Sequence, residues 1–238
     1  MKHKFLLFIL AGVLMFSISC VKKDPLARIT QVLMVPLSPD ATAVDFKINE
    51  TILATTVAYS TTTGTASYTL PYYTITPGSA TAVSYNITGS TTAYASASFE
   101  TLEDNAYSTF LIDSASKTKV AVVSDDLELP SPGKVKLRFL HFAPNAPGLD
   151  VAVGATGVLL WKNRTFNDQA VTKDYEDFIE IDPGVYTFKF LNTGTATVAY
   201  TTSSLNLLSD RIYTVAARGF VGGTTNKALG AWVYPNRP

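Results

Sequence analysis

An internal repeat is the feature that most constrains the fold of this chain. Residues 39–46 (PDATAVDF) align with residues 144–151 (PNAPGLDV) at an offset of 105 positions. Two later motifs recur at an offset of 106, a Pro-Gly pair and a leucine followed five residues later by a tyrosine. Because three motifs keep almost the same spacing, the chain is predicted to contain two copies of one domain.

Each copy has the residue pattern of β-strands. Residues 135–139 (VKLRF) alternate apolar and polar side chains, which is the period of a half-buried strand. Residues 178–181 and 185–190 flank a Pro-Gly turn, which predicts a β-hairpin. The spacing of such segments predicts seven or eight strands per copy and an all-β fold of two tandem β-sandwiches.

The boundaries follow from the repeat and from composition. We place repeat 1 at 28–127, a Pro-rich linker at 128–133 (ELPSPG) and repeat 2 at 134–238. Within repeat 1, the segment 51–99 has no charged side chain and no histidine. Threonine and tyrosine favour strands, so we expect this segment to fold as β-structure, with a low-complexity segment as the alternative.

The N-terminus predicts secretion. Lys2 and Lys4 precede an apolar run at 5–18, so residues 1–19 are predicted to be a signal peptide. As an uncleaved membrane anchor, the alternative, the run is shorter than the ~20 apolar residues that a spanning helix needs.

Ser17, Ile18 and Ser19 lead directly into Cys20, the only cysteine. This segment resembles a bacterial lipoprotein signal, which implies that Cys20 is acylated and that 20–27 forms a lipidated tether. The membrane is then a partner through the lipid on Cys20, since several acyl chains anchor a protein stably. Val21 differs from the aspartate of an inner-membrane retention signal, so we expect the outer membrane, with a periplasmic or a surface-facing orientation.

The composition excludes several functional classes. The chain has 19 basic and 19 acidic side chains, so it lacks the excess of positive charge that a nucleic-acid partner requires. It has one cysteine and two histidines, too few for a zinc site once Cys20 is acylated. We therefore predict no metal and no cofactor. The two copies differ in charge, with a net charge of −5 for 28–127 and +3 for 134–238.

Four polar residues recur in the repeated turn, namely Asp40, Asp45, Asn145 and Asp150. Asp40 and Asn145 suit turns in which the side chain bonds to nearby backbone. We expect Asp45 and Asp150 to accept hydrogen bonds from backbone N–H groups of the preceding turn. Calcium binding is the alternative, but no dense acidic spacing follows either residue.

No residue is assigned a catalytic role. His141 has the strand parity of residues 135, 137 and 139, which directs its side chain towards the core. Adjacent acidic pairs point to opposite faces of a strand, which does not favour carboxylate catalysis. A hydrolase of envelope polymers that uses carboxylates or His141 stays as an alternative.

Aromatic side chains are the candidates for binding. Trp232 and Tyr234 share a strand face, and Tyr72, Tyr73 and Trp161 are further candidates for contact with sugar rings or a protein partner. The alternative is that these rings fill the sandwich cores. Separately, 113–115 (DSA) resembles a bacterial O-glycosylation sequon, which implies modification at Ser114.

Residues 37–45 and 140–150 resemble the opening signature of the domain of unknown function 4397 family, in which a strand runs into a His-Ala-Ser-Pro-Asp-Ala-Pro-like turn. Residues 183–186 (PGVY) and 213–215 (YTV) fit its later positions. The resemblance implies immunoglobulin-like or transthyretin-like sandwiches in a secreted or lipid-anchored bacterial protein, and it carries no catalytic residue.

These observations favour a lipid-anchored envelope protein that acts as a non-enzymatic binding, adhesion or assembly module. Its expected partner is a surface glycan or another envelope protein. The envelope-polymer hydrolase and a purely structural spacer are the alternatives.

Overall fold

The computed structural model describes residues 28–60, 70–154 and 157–237. The predicted signal peptide, Cys20 and the tether lie outside these residues. The described chain is all-β apart from three short 3₁₀ turns, Asp168–Ala170, Lys173–Glu176 and Thr225–Lys227. None of its helices is long and apolar enough to cross a membrane.

The first half of the chain forms one β-sandwich, here called unit 1. Its strands are β1 (Thr30–Pro36), β2 (Val44–Ile48), β3 (Thr51–Val57), β4 (Tyr72–Ile75), β5 (Gly78–Ile87), β6 (Ala93–Thr101), β7 (Ala106–Ile112) and β8 (Lys119–Asp125). They form two four-stranded sheets with the orders β4-β1-β7-β8 and β3-β2-β5-β6, in which only the β1–β7 pair is parallel. Phe46 and Tyr85 meet edge to face in the core between the sheets, with ring centroids 5.3 Å apart.

The second half, unit 2, repeats this architecture. Its strands are β9 (Val135–His141), β10 (Leu149–Val153), β11 (Val158–Arg164), β12 (Ile179–Ile181), β13 (Gly184–Tyr186), β14 (Phe188–Asn192), β15 (Val198–Thr201), β16 (Leu205–Leu207), β17 (Arg211–Arg218) and β18 (Gly230–Arg237). The sheets have the orders β12-β9-β17-β18 and β11-β10-β14-β15, and β13 pairs with β16. The predicted hairpin of 178–181 with 185–190 is wrong, because the chain passes from one sheet to the other at the Pro-Gly turn and β12 pairs with β9. The long hairpin β5–β6 of unit 1 thus corresponds to two shorter pairs, β14–β15 and β13–β16.

The repeated leucine and tyrosine make the same contact in both units. The Tyr107 hydroxyl accepts a hydrogen bond from the Leu102 N–H at 3.1 Å, and the Tyr213 hydroxyl accepts one from the Leu208 N–H at 3.3 Å. This is the tyrosine corner of immunoglobulin-like sandwiches, which ties the start of a strand to the preceding loop. The predicted fold class, two tandem sandwiches, is confirmed.

The two units pack face to face through the sheets that contain β1 and β9. Every residue of β7 is buried, because one face of its sheet contacts the core of unit 1 and the other face contacts unit 2. The ring of Phe110 lies 4.9 Å from that of Phe142 and 5.8 Å from that of Trp232. The four four-stranded sheets therefore form one stack. Its central strands, β1, β7, β9, β17 and β18, are buried on both faces along nearly their whole length.

Both units run in the same direction within this stack. Near the ends of β3 and β17, Arg218 Nη1 donates to the Tyr59 hydroxyl at 3.2 Å. At the opposite end, Arg237 Nη1 donates to the Leu127 carbonyl at 2.7 Å. We call the end where β1 and β9 begin the proximal end and the other the distal end. The distal end carries the loops 37–43, 88–92, 113–118, 142–148, 193–197 and 219–229.

A buried ion pair joins the units towards the proximal end of the interface. Arg138 Nη2 donates to Asp125 Oδ1 at 2.5 Å, and neither side chain is exposed. Asp125 Oδ2 accepts from the hydroxyls of Ser108 and Tyr72, both at 2.6 Å, and Arg138 Nε donates to Thr214 Oγ1 at 2.9 Å. Because both charges are paired and hydrogen-bonded, the pair holds the two units in one relative position.

Candidate functional site

Asp45 of unit 1 organises a bulge and a turn. Its Oδ1 accepts from the Thr56 N–H at 2.9 Å and its Oδ2 from the Gly89 N–H at 3.0 Å. These backbone hydrogen bonds lower the pKa of the Asp45 carboxyl below its ordinary value. Thr56 lies in β3 at a φ of 57°, where the ladder between β2 and β3 changes register.

Asp150 makes the same contacts in unit 2. Its Oδ1 accepts from the Asn163 N–H at 2.7 Å and its Oδ2 from the Gly194 N–H at 3.0 Å. The pKa of Asp150 is lowered for the same reason. Both carboxylates thus accept backbone hydrogen bonds, but from a bulge and a distal turn. The expectation that the donors lie in the preceding turn is corrected, because Asp45 and Asp150 lie on strands beyond that turn.

Asp40 and Asn145 each hold a distal loop in place. Asp40 Oδ1 accepts from the Ala115 N–H at 2.7 Å. Asn145 Oδ1 accepts from the Val221 N–H at 2.8 Å, and its Nδ2 donates to the Val221 carbonyl at 3.0 Å. The repeated turn residue therefore fixes the loop that follows β7 in unit 1 and β17 in unit 2.

His141 is buried, with no exposed surface. Its Nε2 lies 3.2 Å from the Pro147 carbonyl oxygen, so the neutral ring donates from Nε2. Burial lowers the pKa of His141, although Asp168 opposes this effect. A substrate at the surface does not reach this ring in the structure.

Several acidic side chains are held in ion pairs. Asp126 lies 2.6 Å from Lys136 Nζ, and Glu176 lies 3.4 Å from Lys173 Nζ. Burial raises the pKa of Glu176. Across the described ranges, no group of three or more His, Cys, Asp or Glu side chains could hold a metal ion.

Trp232 and Tyr234 do share a strand face, but that face lies in the interface between the units. Each is 1% exposed, and their rings stack with centroids 5.1 Å apart. Trp232 Nε1 donates to Ser60 Oγ at 2.9 Å, and the Tyr234 hydroxyl donates to the Leu70 carbonyl at 2.5 Å. The proposal that these two rings contact a ligand is corrected, because unit 1 covers them.

The other aromatic candidates do not form a common surface. The Tyr72 hydroxyl belongs to the buried network, and its burial beside Asp125 raises its pKa well above the ordinary value. Tyr73 is half-buried on the same strand. Trp161 is half-buried against Phe139, with ring centroids 5.9 Å apart. Ser114 lies half-buried in the distal loop of unit 1.

The distal end of unit 2 contains a groove of about 500 Å³, which we call the distal groove. Its size is that of small-ligand sites. No lining side chain is ionisable, and Asn192 supplies the only side-chain amide. The lining residues are Pro147, Asn192, Ala199, Phe220, Val221, Gly222, Gly223, Ala228 and Leu229.

The loop that follows β17 builds one wall of this groove. The connection between β17 and β18 has eleven residues, 219–229, whereas the equivalent connection in unit 1 has six, 113–118. The Phe220 N–H donates to the Lys227 carbonyl at 2.8 Å, and the Leu229 N–H donates to the Phe220 carbonyl at 2.7 Å. These bonds give the longer loop a defined shape before any ligand arrives.

Gly219 explains why the loop can turn back on itself. Its φ is +81°, and a Cβ at this position would collide with the Ala228 carbonyl oxygen. The groove was not predicted from the sequence. The available signal was the difference in length between the two equivalent connections.

A second cavity, of about 560 Å³, lies at the proximal end between the units. Its walls include Asp104, Asp126, Glu128 and Arg237. Arg237 is bonded to the Leu127 carbonyl and Asp126 is paired with Lys136, so these groups serve the contact between the units.

Comparison with known proteins supports the family and no specific activity. Among curated proteins, none matches this chain. A solved structure described as the Bacillus anthracis TIE protein is similar at 9% identity and a TM-score of 0.24, over 87% of this chain and 43% of that one. The family model described as "Domain of unknown function (DUF4397)" matches residues 30–152, which include all eight strands of unit 1, all of β9 and most of β10. Since this match covers just over half of the chain, the protein belongs to the DUF4397 family, as the repeated turn predicts.

Proposed function

We propose that this protein is a lipid-anchored, non-enzymatic binding module of the bacterial cell envelope that presents the distal groove to a partner. The observation that carries the proposal is the position of the groove. It lies at the distal end, whereas the chain enters the fold at the proximal end, where β1 begins at Thr30.

The start of the described chain and the groove lie at opposite ends of the fold. β1 has seven residues, so it spans about 23 Å from the proximal to the distal end. The buried interface keeps the two units from moving independently, because Arg138 and Asp125 are paired within it. An acylated Cys20 would therefore hold the proximal end at the membrane and direct the groove away from it.

The chemistry of the groove supports binding more than catalysis. A general acid or base must lie within hydrogen-bond reach of the reacting group, and no lining residue is ionisable. Apolar walls with one amide and a preformed loop are typical of a recognition site. We propose an uncharged partner, either a surface glycan or another envelope protein.

The anchor is tested by Cys20→Ser in the full chain expressed in its envelope. Without acylation we expect the protein to move from the detergent phase to the aqueous phase on phase separation, since the acyl chains supply the membrane affinity. Retention in the detergent phase would contradict lipidation at Cys20. Protease treatment of intact cells then distinguishes a surface-facing protein, which is degraded, from a periplasmic one.

Binding is tested by placing a charge at the rim of the groove. Val221 is 45% exposed there, and Val158 is 56% exposed on a different strand, β11. Immobilised wild-type protein, Val221→Asp and the matched control Val158→Asp are incubated with solubilised envelope. We expect a component that is retained by the wild type and by Val158→Asp and lost from Val221→Asp. Equal retention by all three, or retention by none, would remove the support for this function.

A further inference from the structure

The two units share one bulge, which borders the groove in unit 2, and differ in its extra residue. In unit 1, Asn86 pairs with Ala93 and Tyr85 pairs with Ala95, so Tyr94 is the extra residue of β6. A bulge leaves its extra residue outside the ladder and redirects its side chain.

The same bulge occurs in unit 2. Leu191 pairs with Val198 and Phe190 pairs with Tyr200, so Ala199 is the extra residue of β15. Tyr94 and Ala199 therefore occupy equivalent positions, and the equivalence rests on strand register as well as on the sequence repeat.

The Tyr94 side chain closes the distal end of unit 1. Its hydroxyl accepts from the Thr42 N–H at 3.1 Å and lies 3.0 Å from Thr42 Oγ1. The Tyr94 carbonyl also accepts from Thr118 Oγ1 at 2.7 Å, which ties β6 to the start of β8. The phenol ring thus bridges from the bulge to the repeated turn.

In unit 2 both ends of this bridge are different. Thr42 corresponds to Pro147 in the repeat, and Tyr94 corresponds to Ala199. Ala199 and Pro147 both line the distal groove. The groove therefore lies where unit 1 places a tyrosine side chain, and the longer loop 219–229 adds its outer wall.

We propose that the distal groove is a socket for an aromatic side chain on an extended, uncharged segment of a partner protein. This inference rests on the proposed function and names the class of partner. Unit 1 shows that the position accommodates a phenol ring against the same fold. In unit 2 the ring must come from another molecule, because residue 199 is alanine.

The strand beside the groove favours a peptide as the ligand. β15 is an edge strand, since it pairs only with β14 in the order β11-β10-β14-β15. An extended peptide can add to such an edge through main-chain hydrogen bonds, with alternate side chains directed into a pocket. Ala199 belongs to β15 and also lines the groove, so one added strand would place a side chain there.

The lining also defines which side chain fits. Pro147 has no N–H, so the donor that Thr42 offers to the Tyr94 hydroxyl has no counterpart. The Asn192 amide is the one polar side chain of the lining. Phenylalanine and tyrosine are thus both suitable, and charged side chains are not, because no opposite charge would compensate for their desolvation.

The first test uses p-cresol, which is the tyrosine side chain itself, with the mature full-length chain. Titration at millimolar concentration is followed by amide NMR shifts. We expect shifts confined to residues 198–201 and 220–223. Absence of shifts at these residues up to the solubility limit would overturn the inference.

The second test uses a blocked peptide, Ser-Thr-Val-Tyr-Val-Thr-Ser, and its counterpart with alanine in place of tyrosine. Burial of an aromatic ring predicts about tenfold or greater preference for the tyrosine peptide. Ala199→Tyr should remove this preference by filling the groove from within, as Tyr94 does. Val158→Tyr, which adds the same side chain on β11, should leave it unchanged. Equal binding of the two peptides, or an unchanged preference in Ala199→Tyr, would overturn the socket.

A neutral disaccharide, cellobiose, is the third probe. If cellobiose shifts residues 198–201 and 220–223 while p-cresol and the peptides do not, the aromatic socket is overturned and the binding function stands. The proposed function is judged separately from the socket, by the retention experiment with Val221→Asp. If that experiment shows no difference between the variants, the proposed function fails.

Discussion

Units 1 and 2 share their framework and differ at the distal end. Both have the tyrosine corner, and both use an aspartate to hold a bulge and a turn. Unit 1 is closed distally by Tyr94, whereas unit 2 has Ala199 and a longer loop. The repeated residues thus account for the fold, and the residues that differ between the copies are the candidates for a functional role.

The interface shows a second difference of the same kind. Arg138 lies opposite Thr214 in the β9–β17 ladder, and the equivalent Leu33 lies opposite Ser108 in the β1–β7 ladder. A buried leucine in one unit thus corresponds to a buried arginine in the other. Unit 2 supplies the cation and unit 1 supplies its partner, Asp125. Neither unit alone would satisfy this pair.

The largest expected effect follows from breaking that pair. Asp125→Ala leaves the Arg138 guanidinium buried without its counter-charge, which typically costs about 3–5 kcal/mol. We expect this decrease in the free energy of unfolding, measured by urea denaturation with fluorescence detection.

The double variant Asp125→Asn with Arg138→Leu is the control. It removes both charges and places in unit 2 the leucine that unit 1 already has. We expect it to recover most of the lost stability. A decrease below about 1 kcal/mol for Asp125→Ala would show that the pair does not hold the units together.

The next prediction concerns two substitutions, one that removes the tyrosine ring from unit 1 and one that adds it to unit 2. Tyr94→Ala removes a half-buried ring and its contact with Thr42, so we expect a loss of about 1–2 kcal/mol. Ala199→Tyr adds the ring to an open groove, so we expect no loss. Calorimetric unfolding of both variants checks the comparison. A large loss for Ala199→Tyr would show that the groove does not accommodate the ring that unit 1 accommodates.

The fold of each unit could be predicted from the sequence, but the packing of the two units could not. The repeat and the period-two pattern predict two sandwiches correctly. The signal for the buried interface lies in 110–112 (FLI) and 231–234 (AWVY), where apolar residues run consecutively, as they do in strands buried on both faces. Trp232 and Tyr234 were binding candidates because they share a strand face, with burial in a sandwich core as the alternative, and their spacing alone did not decide between the two. The groove depends on a single bulge residue and a loop length, which acquire meaning only once the strand register is known.

A smaller difference between the units is expected in how their stability depends on pH. His141 lies at the position of Pro36, so unit 1 has no equivalent titrating group. Burial lowers the pKa of His141 from its ordinary value of 6.5, so the folded state binds fewer protons than the unfolded state. The neutral, buried His141 ring therefore contributes fully to stability above pH 6.5. This contribution is lost as the pH falls below 6.5, because the unfolded state then binds a proton more readily than the folded state.

Urea midpoints at pH 7.5 and pH 5 measure this contribution, with His141→Gln as the reference. We expect the decrease between the two pH values to be smaller in His141→Gln than in the wild type. Burial raises the pKa of Glu176, which acts in the opposite direction on the pH dependence, and the comparison cancels it because both proteins contain it. Identical pH dependence in the two proteins would contradict the assignment to His141.

The smallest difference between the units is expected at the two structural aspartates. Asp45 and Asp150 both have a pKa below the ordinary value of 3.8, because each carboxylate accepts two backbone hydrogen bonds. Each ionised carboxylate therefore stabilises the fold above pH 3.8. This contribution is lost as the pH falls through the lowered pKa that the carboxyl has in the folded state. Asp45→Asn and Asp150→Asn should therefore destabilise the protein to the same extent at pH 7 and show a weaker acid dependence between pH 4 and pH 2. If only one variant changed the acid transition in circular dichroism, the two units would differ in their framework as well as in their distal ends.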